Sequence, residues 1–365
     1  MTAIDLSKQN CSYWYDPLAE ITSQHQVVKK ENRFDVYLQL YSQSRLVDSM
    51  SFFMQRSYTA EEHTEFVPVV DTIRSSDQLL IIHFTVPDTA DNLLLLEYRH
   101  FFPFYFPIQL KFTNISYAGF RLQKTEEPSQ TFRRYFEEGK YHSPELDSYD
   151  SLFVYRYKDS FLPADPPMSD NTGVSPTLEV DSLLVLPSTN IQLDRAHFYF
   201  LQEDSSNAIG VSGYAGTRFF PKLTTLQDLI GPINYIGRKS EIQKIQSASD
   251  QKKAFDSFWL GLYPIKRNAS DAIAAYYQMV SQANELFTNY KPGWKTDRGM
   301  IYIVLGKPSN VTRYDWREVW TYEDGVNFEF RIISNLFAPQ QHYLMRKQDL
   351  ADPWYAAVRS LRNNR

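Results

Sequence analysis

Gly293-Trp294-Lys295-Thr296-Asp297-Arg298-Gly299 runs directly into Met300-Ile301-Tyr302-Ile303-Val304-Leu305-Gly306-Lys307-Pro308, and how this run is read decides the fold of the C-terminal third. Its first seven residues have the composition of a structured loop. Gly293 and Gly299 bracket that loop and can take positive φ at little cost, while Thr296 and Asp297 carry short oxygens suited to nearby backbone N–H groups. Residues 300–305 are almost wholly apolar and rich in β-branched and aromatic side chains, which predicts a strand covered on both faces. Gly306 and Pro308 end it, since proline has no N–H to give a ladder.

About a dozen residues later the chain reads Glu318-Val319-Trp320-Thr321-Tyr322-Glu323-Asp324-Gly325-Val326-Asn327-Phe328-Glu329-Phe330-Arg331-Ile332. Asp-Gly between two alternating runs predicts a hairpin with a type I′ turn centred on Asp324-Gly325. Trp320 and Tyr322 then share one face, and Phe328, Phe330 and Ile332 form an apolar row.

Taken together, the Gly293-Trp294-Lys295-Thr296-Asp297-Arg298-Gly299 run, the Gly306-Lys307-Pro308 stop and the Glu318-Val319-Trp320-Thr321-Tyr322 strand resemble the GWxTD domain, a bacterial family. The resemblance implies a C-terminal α+β domain behind β-rich N-terminal modules, in an exported or lipid-anchored envelope protein. It implies other envelope proteins, an outer-membrane complex among them, as partners. No reaction comes with it.

Composition sets outer bounds. A chain of 365 residues is long for one core, which suggests two or three domains. With 43% hydrophobic and 15% aromatic residues it has the material to fill them. A net charge of −5 gives no footprint for nucleic acid. Cys11 is the single cysteine, so no intrachain disulfide can form, and its neighbours Lys8-Gln9-Asn10 lack the small and apolar residues of a lipidation site. Residues 1–12 are mostly polar. The expectation is either a cytoplasmic protein or one whose leader is absent from this sequence, and the resemblance favours the periplasm or envelope. No apolar run approaches the roughly 20 residues of a membrane span.

In chain order, 1–26 reads as an extended leader around Tyr13-Trp14-Tyr15. From Arg33, alternation of Phe34, Val36, Leu38 and Leu40 begins a series of six or so strands, which predicts a β-sandwich-like domain over 27–113. Phe101, Phe102, Phe104, Tyr105 and Phe106 crowd around Pro103 and Pro107. They read either as an exposed interaction loop or as a sandwich corner whose rings fill core, with both prolines pointing to an edge or a bend. A second β-rich domain follows over 114–225, with strands near 116–122, 151–157, 183–186, 196–201 and 208–214. Its Pro, Asp and Ser-rich stretch 160–176 reads as a long surface loop.

Helices enter over 226–365. Ser240 with Gln243 fits a capping box, Asp250 caps a helix facing inward through Phe255, Phe258 and Trp259, and Asn268 or Ser270 opens another. Asp352-Pro353 starts the last helix, with Trp354 inward. A strand is expected near 342–345. The fold class is therefore multidomain, two β-sandwich-like modules and then an α+β domain.

Neither a phosphate-binding loop, a nucleophile elbow nor a His-Glu-x-x-His pair occurs, and the seven histidines are scattered without metal-ligand spacing. No metal and no cofactor is expected. The best polar cluster is Asp297, Arg298 and Glu318, with Arg331 nearby. As catalytic groups, Asp297 or Glu318 would be acid or base and Arg298 an anion clamp, in a hydrolase or a carbohydrate-binding groove. As structural groups, Asp297 bonds loop amides, Trp294 plugs the sheet edge, and Arg298 with Glu318 ties the loop to the hairpin. The structural reading is the stronger. It gives Gly293, Trp294, Thr296, Asp297, Arg298, Gly299, Gly306, Pro308, Glu318 and Trp320 a framework role.

Overall fold

The computed structural model describes residues 13–16, 21–42, 50–55, 63–66, 69–76, 79–87, 93–99, 103–108, 118–126, 135–158, 161–170, 178–206, 209–314, 316–333 and 341–363. Among these residues nine strands come first: β1 (Tyr13–Asp16), β2 (Ile21–Lys29), β3 (Arg33–Ser42), β4 (Met50–Gln55), β5 (His63–Phe66), β6 (Val69–Ser76), β7 (Leu79–Pro87), β8 (Leu93–Arg99) and β9 (Pro103–Ile108). They build two antiparallel sheets, ordered β1-β2-β3-β7-β6 and β5-β4-β8-β9. The stretch expected as a leader thus contains β1, paired with β2, whereas Cys11 lies outside the described residues.

β9 corrects the aromatic loop. Phe104, Tyr105 and Phe106 are strand residues opposite Tyr98, Glu97 and Leu96, while Phe101 and Phe102 lie outside the described residues. Pro103 and Pro107 sit on a sheet edge, where a missing N–H is tolerated.

Eight strands follow among the described residues: β10 (Gln123–Lys124), β11 (Tyr135–Glu137), β12 (Gly139–His142), β13 (Ser151–Lys158), β14 (Val180–Pro187), β15 (Ile191–Leu193), β16 (His197–Gln202) and β17 (Val211–Gly216). One sheet runs β11-β17-β16-β13-β14 and another β10-β12-β15. Leu152, Val154, Tyr199 and Leu201 from the first meet Tyr141, Ile191 and Leu193 from the second in a shared core. Residues 118–122, expected as a strand, are irregular, although Phe120 is buried in that core.

The C-terminal part holds α1 (Leu226–Ile230), α2 (Lys239–Gln246), α3 (Gln251–Leu262), α4 (Lys266–Phe287), α5 (Asp297–Leu305), β18 (Asn310–Arg313), β19 (Arg317–Thr321), β20 (Asn327–Ile333), β21 (Gln341–Leu344) and α6 (Ala351–Asn363). The four strands form an antiparallel meander. Their inner row of Trp320, Phe328, Phe330 and Leu344 joins Val280, Phe287, Ile301, Ile303 and Trp354 in the main core.

The expected strand at 300–305 is helix α5. Thr296 caps it by accepting the Gly299 N–H at 3.0 Å, and Gly306, at φ 81°, ends it. The apolar run is buried on every side, and a helix covered all round shows no polar stripe to distinguish it from a covered strand. β-branched residues then mislead, because tertiary burial overrides their weak helix penalty. Gly293 and Gly299 do not take positive φ; among the described glycines only Gly139, Gly306 and Gly325 do.

The hairpin is also built differently. Only Gly325 has positive φ, and its N–H bonds the Tyr322 carbonyl at 2.9 Å while Tyr322 N–H bonds Val326. This is a three-residue connection, a type I turn followed by a glycine, and not a two-residue type I′ turn.

Helix starts shift as well. α2 begins at Lys239, where Glu241 accepts the Arg238 N–H at 2.7 Å, so Ser240 is not the cap. α4 begins before Asn268 and Ser270. Asp250 does cap α3, accepting the Lys253 N–H at 2.9 Å.

Burial raises the hydroxyls of Tyr235, Tyr276, Tyr277 and Tyr322 well above the ordinary value of 10.0. These groups stay protonated in the fold when the unfolded chain has already lost their protons. Their stabilisation is therefore complete below about pH 10 and declines above it, by up to about 1.4 kcal/mol per pH unit for each tyrosine. Urea midpoints measured from pH 8 to 11 should stay flat to about pH 10 and then fall, and a flat profile to pH 11 contradicts this burial.

Candidate functional site

The signature is a knot between three elements. In the last turn of α4, Asn284 holds the loop that follows: its side chain accepts the Trp294 N–H at 3.0 Å and donates to the Pro221 carbonyl at 2.9 Å. Thr288 accepts the Gly293 N–H at 2.9 Å, and Thr296 donates to the Gly293 carbonyl at 2.7 Å. A methyl group on Gly293 would fall on the Ala283 carbonyl, and one on Gly299 would fall on the Gly293 carbonyl. Both glycines are there for close backbone approach.

Trp294 does not plug a sheet edge. Its ring packs edge-on to Tyr235 at 6.2 Å and lies where a side chain on Gly231 would stand. The Tyr235 hydroxyl donates to the Trp294 carbonyl at 2.7 Å. Burial chiefly raises that hydroxyl, the Ala164 backbone opposes the rise, and the Asp297 charge adds to it, so Tyr235 is a neutral donor.

Asp297, in the first turn of α5, reaches β21 and beyond instead of loop amides. One oxygen accepts the Leu344 N–H at 2.7 Å and the other takes Arg346 Nη2 at 2.6 Å. Arg346 Nη2 also donates to the Asp165 carbonyl at 3.0 Å. Asp297 and Arg346 are 8% and 9% exposed in their side chains. The negative charge also faces the positive end of the helix.

Glu318 forms the second polar centre. Its Oε1 accepts Trp320 Nε1 at 2.7 Å and stands 3.4 Å from Arg298 Nη1, while Oε2 is 3.6 Å from His342 Nε2. Glu318 and Trp320 are two residues apart on one strand and so share the inner face. Arg298 lies over the Phe287 ring at 5.0 Å. Gly306 and Pro308 close the helix end, where Tyr322 donates to the Gly306 carbonyl at 3.0 Å and Pro308 is buried. Arg331 is exposed and belongs to neither centre.

Sequence reading missed Arg346, His342, Asn284 and the segment 161–170. That segment, expected as a surface loop, lies across this core: Lys347 N–H bonds the Pro167 carbonyl at 3.0 Å and Phe161 packs edge-on to Tyr290 at 4.7 Å.

The loop, the helix cap and the inward carboxylate–tryptophan strand are one constellation, and a family model recognises it. The GWxTD domain spans residues 197–363 of this chain. The match begins at β16, within the sheet that precedes the helices, so the GWxTD domain as matched includes β16 and β17. No curated protein and no solved structure matches the chain. Among the described residues no group of His, Cys, Asp and Glu is arranged to hold a metal, and no helix is long and apolar enough to cross a membrane. A groove of ≈ 780 Å³ opens between α2 and α6, lined by Ile242, Trp354, Val358, Arg238 and Arg359 among others. Neither Asp297 nor Glu318 lines it.

Chemically, both GWxTD-domain carboxylates are occupied by donors and shielded from water. Replacing Asp297 by Ala strands the Arg346 guanidinium and should cost about 3–5 kcal/mol, with much of that regained in an Asp297→Leu, Arg346→Leu double variant. Urea denaturation of wild type and these two variants checks it, and a loss under about 1 kcal/mol for Asp297→Ala contradicts it. Gly299→Ala should cost at least about 3 kcal/mol by overpacking. Gly261→Ala, at an open helical position with nothing within 4 Å, should add about 0.5–1 kcal/mol in the same assay.

Proposed function

We propose that the protein is a non-catalytic scaffold of the bacterial cell envelope, periplasmic and joined to an outer-membrane complex. In this reading the GWxTD domain is a rigid adaptor, and the β-rich part presents loops and strand edges to protein partners. The observation that carries it is the occupancy of Asp297 and Glu318, each buried against fixed donors from a neighbouring element. A general acid or base must exchange its proton with a substrate, and these groups have no open side from which to do so. The envelope location rests on the GWxTD resemblance alone.

The N-terminal strands support a two-sheet sandwich as the presenting module. The chain places β1, β2 and β3 in one sheet, β4 and β5 in the other, then returns for β6 and β7 and crosses again for β8 and β9. Repeated crossing between two antiparallel sheets is the habit of sandwiches, whose ends expose loops.

Isosteric variants test the proposal in the full chain. Asp297→Asn should lower the melting midpoint by roughly 5–10 °C, with Glu318→Gln moving the same way. Wild type should show no turnover of peptide, ester or glycoside substrates, and fractionation of cells should recover it with the envelope. Variants that melt like wild type but lose a measurable hydrolysis or saccharide binding would overturn the reading.

A further inference from the structure

The groove between α2 and α6 touches neither polar centre of the signature, and its lining carries one sign of charge. Among the described residues Arg238, Lys239, Arg359 and Arg362 stand on it, and no aspartate or glutamate does. Arg362 is already engaged: its two terminal nitrogens each bond the Glu241 carboxylate at 2.8 Å, and Nη1 also donates to the Ile236 carbonyl at 2.7 Å. These bonds bring the end of α6 to the start of α2, where Arg238 and Lys239 lie, and Arg359 is one turn back from Arg362. Arg238, Lys239 and Arg359 are exposed and make no ion pair with any described residue. In a chain of net charge −5, uncompensated cations thus gather at one end of one groove.

Beneath them the floor is apolar and recessed. Ile236, Ile242 and Trp354 are 2%, 7% and 3% exposed, and Tyr355 and Val358 stand on the α6 wall. A volume of ≈ 780 Å³ falls within the range of about 300–1,000 Å³ common to binding sites. Shape and charge together select the occupant. A bilayer is entered by apolar side chains that protrude, and these are sunk below a rim. A nucleic acid would set phosphates on the cations and leave the apolar floor wet. A helix that is apolar on one side and carries carboxylates at its edge matches both. Three apolar side chains at i, i+3 or i+4 and i+7 cover about 10.5 Å, and the eight residues of α2 give a wall about 12 Å long.

We propose that this groove docks an acidic amphipathic helix of a partner protein, its apolar side chains set between α2 and α6 and its carboxylates against Arg238, Lys239 and Arg359. Such a helix covers the apolar floor and supplies the negative charge that the fold itself does not bring to this rim. Ion pairs at an exposed rim act mainly on the rate of encounter and the choice of partner, while apolar anchors in the floor govern how long the complex lasts. The docking is independent of the roles given to Asp297 and Glu318 and of the compartment, and it stands or falls apart from them.

The test sets the purified full chain against a displayed library of random peptides of about 16 residues, long enough to form a helix. Selected peptides should be enriched in Asp and Glu and carry apolar residues at helical spacing. By fluorescence polarisation they should bind a Lys239→Glu, Arg359→Glu variant at least about tenfold more weakly, and salt raised from about 0.1 M to about 1 M should weaken the wild-type complex as well. Both positions are exposed, and a carboxylate at position 239 faces the positive end of α2, so the melt should stay at the wild-type value. Tyr355→Ser, also exposed, should weaken binding with no change of charge. Lys266→Glu with Arg267→Glu, an equal charge change on exposed residues away from the groove, should leave it within about twofold. No selection, selection of basic or uncharged peptides, or equal loss in both charge variants would overturn the proposal. So would a groove variant that loses binding only to vesicles of anionic phospholipid, which would make this surface a membrane contact.

Discussion

The contact between Asp297 and Arg346, closed by the Leu344 N–H, is the constraint on which the C-terminal part depends. It fastens the first turn of α5 to the end of β21, and both elements lie against the same core. A buried ion pair adds little net stability over a well-packed apolar substitute, because taking two charges out of water costs several kcal/mol, on the order of what their attraction returns. What such a pair does well is forbid alternatives. An apolar α5 could slide or turn against the sheet at small cost, whereas a displaced Asp297 would leave two charges buried and unmatched.

The glycines act with this pair. Gly293 and Gly299 let the loop press onto α4 and onto itself, and Asn284 and Thr288 then meet its N–H groups. Glu318 repeats the logic on the sheet, where one carboxylate gathers Trp320, Arg298 and His342 from three places in the sequence. Carboxylates used in this way are spacers of fixed charge. Their value lies in holding several donors from different elements in one place.

Local chemistry made part of this legible in the sequence. Period-two alternation marked β3, β19 and β20, short strand-like runs marked β13 and β16, and the spacing of Phe255, Phe258 and Trp259 marked α3. α5 escaped because a segment covered on all sides loses the polar stripe that reveals periodicity, although Thr296 ahead of Asp297 was a cap signal that outweighs the β-branched residues. Arg346 escaped for another reason. It stands 49 residues from Asp297, and nothing in its neighbours indicates where its guanidinium goes. The same holds for segment 161–170, whose proline content suggests exposure while its carbonyls serve Arg346 and Lys347.

That segment ties the second group of strands to the helices. Tyr135 donates to Glu285 at 2.9 Å, and Tyr157, Phe198 and Phe200 share a cluster with Tyr290, so ring and backbone contacts cross the same boundary in several places. A chain cut near residue 226 would uncover tyrosines and take the Asp165 carbonyl from Arg346 on one piece and bare the underside of a sheet on the other. From about residue 135 onward, these crossing contacts favour opening and closing as one unit over opening piece by piece.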